Sequence, residues 1–124
     1  MTKFALMFVA CFAISPLAFG QSSGDAAAGK RLADEDQCIL CHGSDGNGNK
    51  GIARFRLGYI PRISGQPQAY FIKSVKDYKN GKRADADMQT MAEMLSDKDI
   101  RNLAAWYGSQ TPRAEATYDY DPSR

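Results

Sequence analysis

The sequence predicts an all-α domain, on three observations. Apolar residues recur at helical spacing in two stretches with clear starts and stops. No run alternates apolar and polar residues for long enough to make a sheet. Residues 43–63, rich in Gly, Asn and Arg, read as one long loop between the helical segments.

Three main helices are expected. The first starts near Ser23 or Asp25, whose side chains can accept from first-turn amides, and runs through Ala26, Ala27, Ala28, Leu32 and Ala33 towards Cys38. The second follows Gly65-Gln66-Pro67, with the proline in its first turn. Phe71, Val75 and Tyr78, with Ile72 beside them, form its apolar stripe, and Gly81 ends it. The third opens on Ser96-Asp97-Lys98-Asp99, the spacing of a capping box. Ile100, Leu103, Ala104 and Tyr107 share one of its faces beside Trp106, and Gly108 followed by Pro112 stops it. The stretch holding Met88, Met91 and Met94 reads as a loop before this helix.

The N-terminus reads as a cleaved secretory signal over residues 1–20: Lys3, an apolar run from Phe4 to Ile14, then Ala18-Phe19-Gly20. The run is short of the roughly 20 apolar residues a membrane span needs, and Pro16 interrupts it. Cys11 would leave with this leader. The expected organisation is a domain over residues 21–110, a loose C-terminal tail over 111–124, and a soluble, monomeric, periplasmic protein without a membrane span. Loss of Lys3 takes the formal charge from +2 to +1, which singles out no partner class. Export, and the lack of a base-stacking platform, argue against nucleic acid. A single domain of this size is marginal for building a core from side chains alone.

The chemistry is concentrated in Cys38-Ile-Leu-Cys41-His42. Two thiols three positions apart with an imidazole immediately after the second is the spacing that attaches haem covalently, through thioethers to the two vinyl groups. Zinc would need further ligands, and His42 is the only histidine in the chain. A redox dithiol has no use for the histidine and usually sits in a βαβ pattern, which is absent. One haem c is therefore expected, with its iron over His42. A buried porphyrin would also complete the small core, so the haem-free chain should be largely unfolded.

The sixth iron ligand separates an open, ligand-binding site from a closed, electron-transfer site. With no second histidine, a methionine is the expected closer, and spacing alone leaves Met88, Met91 and Met94 as alternatives.

The chain resembles the class I c-type cytochromes, and within them a monohaem version of one half of cytochrome c4. The resemblance rests on Gly24-Asp25-Ala26-Ala27-Ala28-Gly29-Lys30, on Cys38–His42 with Gly43-Ser44-Asp45-Gly46-Asn47-Gly48, and on Pro61-Arg62-Ile63-Ser64-Gly65-Gln66. Tyr70-Phe71-Ile72-Lys73, Asp77 to Arg83, and Met88 to Tyr107 extend it. It implies the class I cytochrome c fold around one haem. It implies Met88, eight residues before the capping Ser96, as the axial sulfur, with Met91 as the fallback. It also implies that the Pro61 carbonyl accepts from the axial imidazole and that Gly29 meets the last helix near Trp106. Lys50 to Gly58, carrying Arg54 and Arg56, lengthens the loop relative to that family.

The expected function is one-electron transfer, not enzymatic catalysis, between redox proteins such as a dehydrogenase, a cytochrome complex or a terminal oxidase or reductase. Two other readings are a haem subunit docked to a larger oxidoreductase, and a haem enzyme or gas-binding module with a displaceable sixth ligand. The basic segment from Lys50 to Arg83, interrupted only by Asp77, suits either a solvated surface or a face that steers an acidic partner.

Overall fold

A computed structural model describes residues 23–48 and 60–113. The leader, Cys11, the Lys50–Gly58 loop with Arg54 and Arg56, and the chain beyond Arg113 lie outside the described residues. Among the described residues five helices follow in order: α1 (Ala26–Glu35), α2 (Cys38–His42), α3 (Gln68–Lys79), α4 (Ala86–Glu93) and α5 (Asp97–Gly108). No strand occurs among the described residues.

Asp25 caps α1, accepting from the amides of Ala27 and Ala28 at 2.8 and 3.2 Å. The helix does not run on to Cys38 as the sequence suggested. Gln37 takes a left-handed conformation with φ 60°, which separates α1 from α2. The α1 axis packs mainly on α5, where Gly29 and Ala33 are buried and the Asp25 amide donates to Asn102 Oδ1 at 2.8 Å.

Pro67 is the N-cap of α3 and lies just outside its first turn. Phe71, Val75 and Tyr78 face inward, and Gly81 reverses the chain in the left-handed region at φ 69°. The methionine stretch, expected as loop, is a helix. Asp85 caps α4 by accepting from the Met88 amide at 2.9 Å, and the helix buries Ala92 against the core. A carboxylate at the cap and a buried face on the neighbouring helix outweigh the weak local periodicity.

The capping box of α5 is complete, with Asp99 N donating to Ser96 Oγ and Ser96 N to Asp99 Oδ2. Gly108 is the last helical residue and not the turn beyond it. Its missing side chain admits the Gln66 carbonyl, which a Cβ would meet at 3.1 Å. The core joins Ala33, Phe71, Val75, Ala92, Leu95, Ile100, Leu103, Ala104 and Tyr107, with the Phe71 and Tyr107 rings 6.0 Å apart. The tail is not loose from residue 111. Thr111–Arg113 are bonded to Asn47 and Asp45 on the loop after α2.

Candidate functional site

One turn of helix places Cys38, Cys41 and His42 together on α2, with both thiols free. Burial, reinforced by the Asp36 carboxylate, pushes the Cys38 thiol up to about 11. An activated dithiol needs the opposite, a thiolate favoured near neutral pH. The environment of Cys38 therefore argues against redox exchange by the thiols themselves.

His42 is buried, and its Nδ1 lies 3.0 Å from the Pro61 carbonyl oxygen. A carbonyl can only accept, so Nδ1 carries the proton and Nε2 keeps its lone pair. Burial lowers the His42 pKa, opposed by the Pro61 contact and then by Asp85. The ring is thus held neutral, which is the state that can ligate a metal.

The segment that presents Pro61 is folded onto the loop after α2. Ile63 N and Ser64 N both donate to the Gly46 carbonyl at 2.8 and 3.1 Å, and Gly48 N donates to the His42 carbonyl at 2.7 Å. Gly46 sits at φ 72°, and a Cβ there would lie 2.7 Å from the Tyr107 ring and 2.9 Å from Ser64 N. Only glycine allows this closeness together with the left-handed backbone.

These elements surround a cavity of about 470 Å³. Its walls include Cys38, Cys41 and His42 from α2, Pro61 and Ile63, Phe71 and Val75 from α3, Met88 and Met91 from α4, and Leu103 and Tyr107 from α5. Met94 is 62% exposed and is not among the lining residues. The structure therefore separates three methionines that spacing left equivalent: two reach the cavity and one does not.

Several features were not singled out from the sequence. The Tyr107 hydroxyl is buried without a hydrogen-bond partner among the described residues, and burial raises its pKa. A Tyr in place of Phe on a core face was the available signal. Arg83 lines the cavity with its guanidinium 4.7 Å from the Tyr78 ring centroid. Leu40 and Tyr70 line the cavity and are about half exposed, at 47% and 51%.

The cavity fits a haem. It is largely apolar, it offers two thiols and a neutral imidazole at attachment spacing, and two methionines line it. Of the basic segment, Lys73 pairs with Asp77, Lys76 with Asp97 at 3.0 Å, and Lys79 with the Leu95 carbonyl. Much of the charge on α3 is thereby engaged within the molecule.

Comparison with known proteins agrees with this geometry. The cytochrome c family model matches residues 26–110, and the chain belongs to the cytochrome c family. Cytochrome c-554(548) of Halomonas halodenitrificans is 40% identical over 91 residues, which is 71% of this chain and 99% of that protein. Cytochrome c4 of Pseudomonas aeruginosa is 37% identical over 89 residues, covering 72% of this chain but only 40% of its own length. A thiosulfate dehydrogenase electron acceptor of Thiomonas intermedia is 36% identical over 75 residues, 60% of this chain and 32% of that protein. The cytochrome c4 structure of Acidithiobacillus ferrooxidans superposes with a TM-score of 0.59 at 28% identity, over 71% of this chain and 51% of that one. The fold is thus that of a class I c-type cytochrome, like one half of cytochrome c4. The protein is an electron-transfer haem c protein and not an enzyme, with haem c covalently attached.

Proposed function

We propose that the protein is a soluble periplasmic one-electron carrier in which Cys38 and Cys41 hold haem c through thioethers. His42 and Met88 are the axial ligands, and the Pro61 carbonyl orients His42. The observation that carries this reading is the convergence of Cys38, Cys41, His42 and Met88 on one apolar cavity. Among the described residues no helix is long and apolar enough to cross a membrane.

Bound haem supplies a one-electron couple at its iron. The protein's own groups set the conditions for it. The Pro61 carbonyl holds the imidazole in one tautomer and orientation, and accepting its N–H raises the ring's basicity. The methionine thioether favours the reduced metal, and the apolar walls of Phe71, Val75 and Leu103 disfavour the extra positive charge of the oxidised one. Both act to raise the potential. Leu40 and Tyr70, exposed at the cavity, offer the small apolar contact that a brief encounter with a partner needs.

The test is the visible spectrum of protein purified from its native host, in both oxidation states and under carbon monoxide. A haem c spectrum with a weak red iron–sulfur band in the oxidised form, and slow carbon monoxide binding, is expected. Rapid carbon monoxide binding would favour a gas-binding or catalytic module instead.

A second reading is a carrier committed to one oxidoreductase. The similarity to a thiosulfate dehydrogenase electron acceptor favours it. Gel filtration of native extract distinguishes the two, since a free carrier elutes at its own size.

A further inference from the structure

We propose that Thr111–Arg113 is a strap that acts through Asn47 to seat the Pro61 carbonyl against His42. Asn47 and Arg113 are then positioning residues for the axial imidazole. The inference rests on His42 being the iron ligand, as proposed above, and goes beyond it by assigning a role to the start of the tail.

The path is continuous. The His42 ring N–H donates to Pro61 O at 3.0 Å. Three residues on, buried Ser64 donates its hydroxyl to Asn47 Oδ1 at 2.9 Å. The same Asn47 oxygen accepts the Arg113 amide at 2.8 Å, while Asn47 Nδ2 donates to the Thr111 carbonyl at 3.1 Å. One amide side chain therefore ties the Pro61 segment to the end of the domain, using its donor and its acceptor together.

Other contacts hold the strap down. The Arg113 guanidinium binds the Asp45 carboxylate, whose other oxygen accepts the Asn47 amide at 3.0 Å. Arg62, next to Pro61, donates to the Arg113 carbonyl. Pro112 closes over Gly65, where a Cβ would lie 2.5 Å from its ring. The Pro61–Gly65 segment is thus bracketed at both ends by three residues that lie past the last helix.

A surface ion pair such as Arg113–Asp45 adds little stability by itself, its two side chains being 68% and 30% exposed. Its place in the path gives it a different consequence. The strength of the imidazole N–H···O bond sets how basic the iron-binding nitrogen is. Slackening the Pro61 segment weakens that bond, makes His42 a poorer donor to the oxidised metal, and shifts the couple toward the reduced form.

The experiment uses full-length holoprotein with Arg113→Ala, Asn47→Ala and both together. Asp25→Ala, which removes the α1 cap far from the strap, serves as a control for simple loss of stability. At a fixed applied potential, Asn47→Ala should raise the ferrous-to-ferric ratio by about two- to tenfold, the worth of a hydrogen bond, and Arg113→Ala, which keeps its backbone bond to Asn47 and loses only the Asp45 pair, should raise it less. The His42 ring N–H should exchange faster with solvent, and the double variant should go little beyond the larger single effect, because both act on one path. Asp25→Ala should lower the melting temperature and leave the ratio in place. If Asn47→Ala fails to fold, Ser64→Ala, which removes the hydroxyl that reaches Asn47 Oδ1, carries the test. An unchanged ratio and unchanged exchange in a normally coloured Asn47→Ala or Ser64→Ala protein overturns the strap alone, as does an equal shift in Asp25→Ala. A colourless wild type overturns the haem reading itself, and the strap's role with it.

Discussion

Gly29 of α1 and Asn102 of α5 meet backbone to backbone: a Cβ on Gly29 would lie 2.0 Å from the Asn102 carbonyl oxygen and 2.9 Å from Trp106 Cβ. The two helices are pinned near this point by the Asp25–Asn102 hydrogen bond, and Trp106 Nε1 ties α5 to the loop after α2 by donating to the Ser44 carbonyl at 3.2 Å. Gly29→Ala should therefore push the helices apart. Because the obstacle is backbone, the loss should fall at the upper end of the range for overpacking, about 3 kcal/mol. Chemical denaturation measures it, and a midpoint equal to wild type would mean that the crossing yields.

The start of α5 should carry part of the acid sensitivity. Hydrogen bonds from the Ser96 side chain, then from its backbone amide, hold the Asp99 carboxyl below the usual carboxylate range. Its folded-state pKa is lower than in the unfolded chain, so the stabilisation is fully present above the unfolded value of about 3.9. It is lost as pH falls through the lower, folded value. Ser96→Ala should cost about 1 kcal/mol near neutral pH, and Asp99→Asn should flatten the acid limb of stability against pH. Urea titrations from pH 7 down to pH 2 give both. An acid limb unchanged in Asp99→Asn would place the sensitivity elsewhere.

The three methionines should separate spectroscopically. Met88→Ala is expected to abolish the red iron–sulfur band, open the iron to carbon monoxide and lower the potential. Met91→Ala should keep the band and lose about 2 kcal/mol or more of stability, as a truncated half-buried side chain does. Met94→Ala, 62% exposed, should change neither. Loss of the band in Met91→Ala with its retention in Met88→Ala would transfer the ligand role to Met91.

Removal of the cofactor should unfold the chain. With a cavity of about 470 Å³ among its core residues, the protein lacks the apolar mass that a domain of this size needs. The double substitution Cys38→Ser with Cys41→Ser should give far-ultraviolet circular dichroism of a mostly unfolded chain. Full helical content in that variant would show that the side chains suffice.

Salt dependence tests the basic segment. Oxidation of the reduced protein by ferricyanide, a small anion, should slow as ionic strength rises if this edge steers it. Lys82→Glu, on the turn after α3, should slow it further, whereas Lys76→Ala should do little because Lys76 already pairs with Asp97. A rate flat from low to high salt removes steering from the account.

Much of this was legible in the chain because it depends on short-range spacing. The α5 capping box needs only Ser96 and Asp99 three positions apart, and the inward face of α3 needs only Phe71, Val75 and Tyr78. The left-handed Gln37 that breaks α1 from α2 carried no such signal, since glutamine rarely adopts that conformation. The methionine stretch carries little signal of a helix because α4 has little amphipathic contrast of its own; Asp85 and the buried contact of Ala92 complete it.

By itself, the sequence determined the class of fold, the single attachment motif and the one imidazole able to serve it, because each is a matter of residue identity at fixed separations of a few positions. Only the tertiary structure decided which methionines reach the cavity, where the Pro61 carbonyl falls, and that residues past the last helix fasten the loop beneath it. Those outcomes join Asn47 to Arg113 and His42 to Pro61 across long stretches of chain. Such contacts are settled by which buried faces meet when the helices pack, and local spacing contains no record of that.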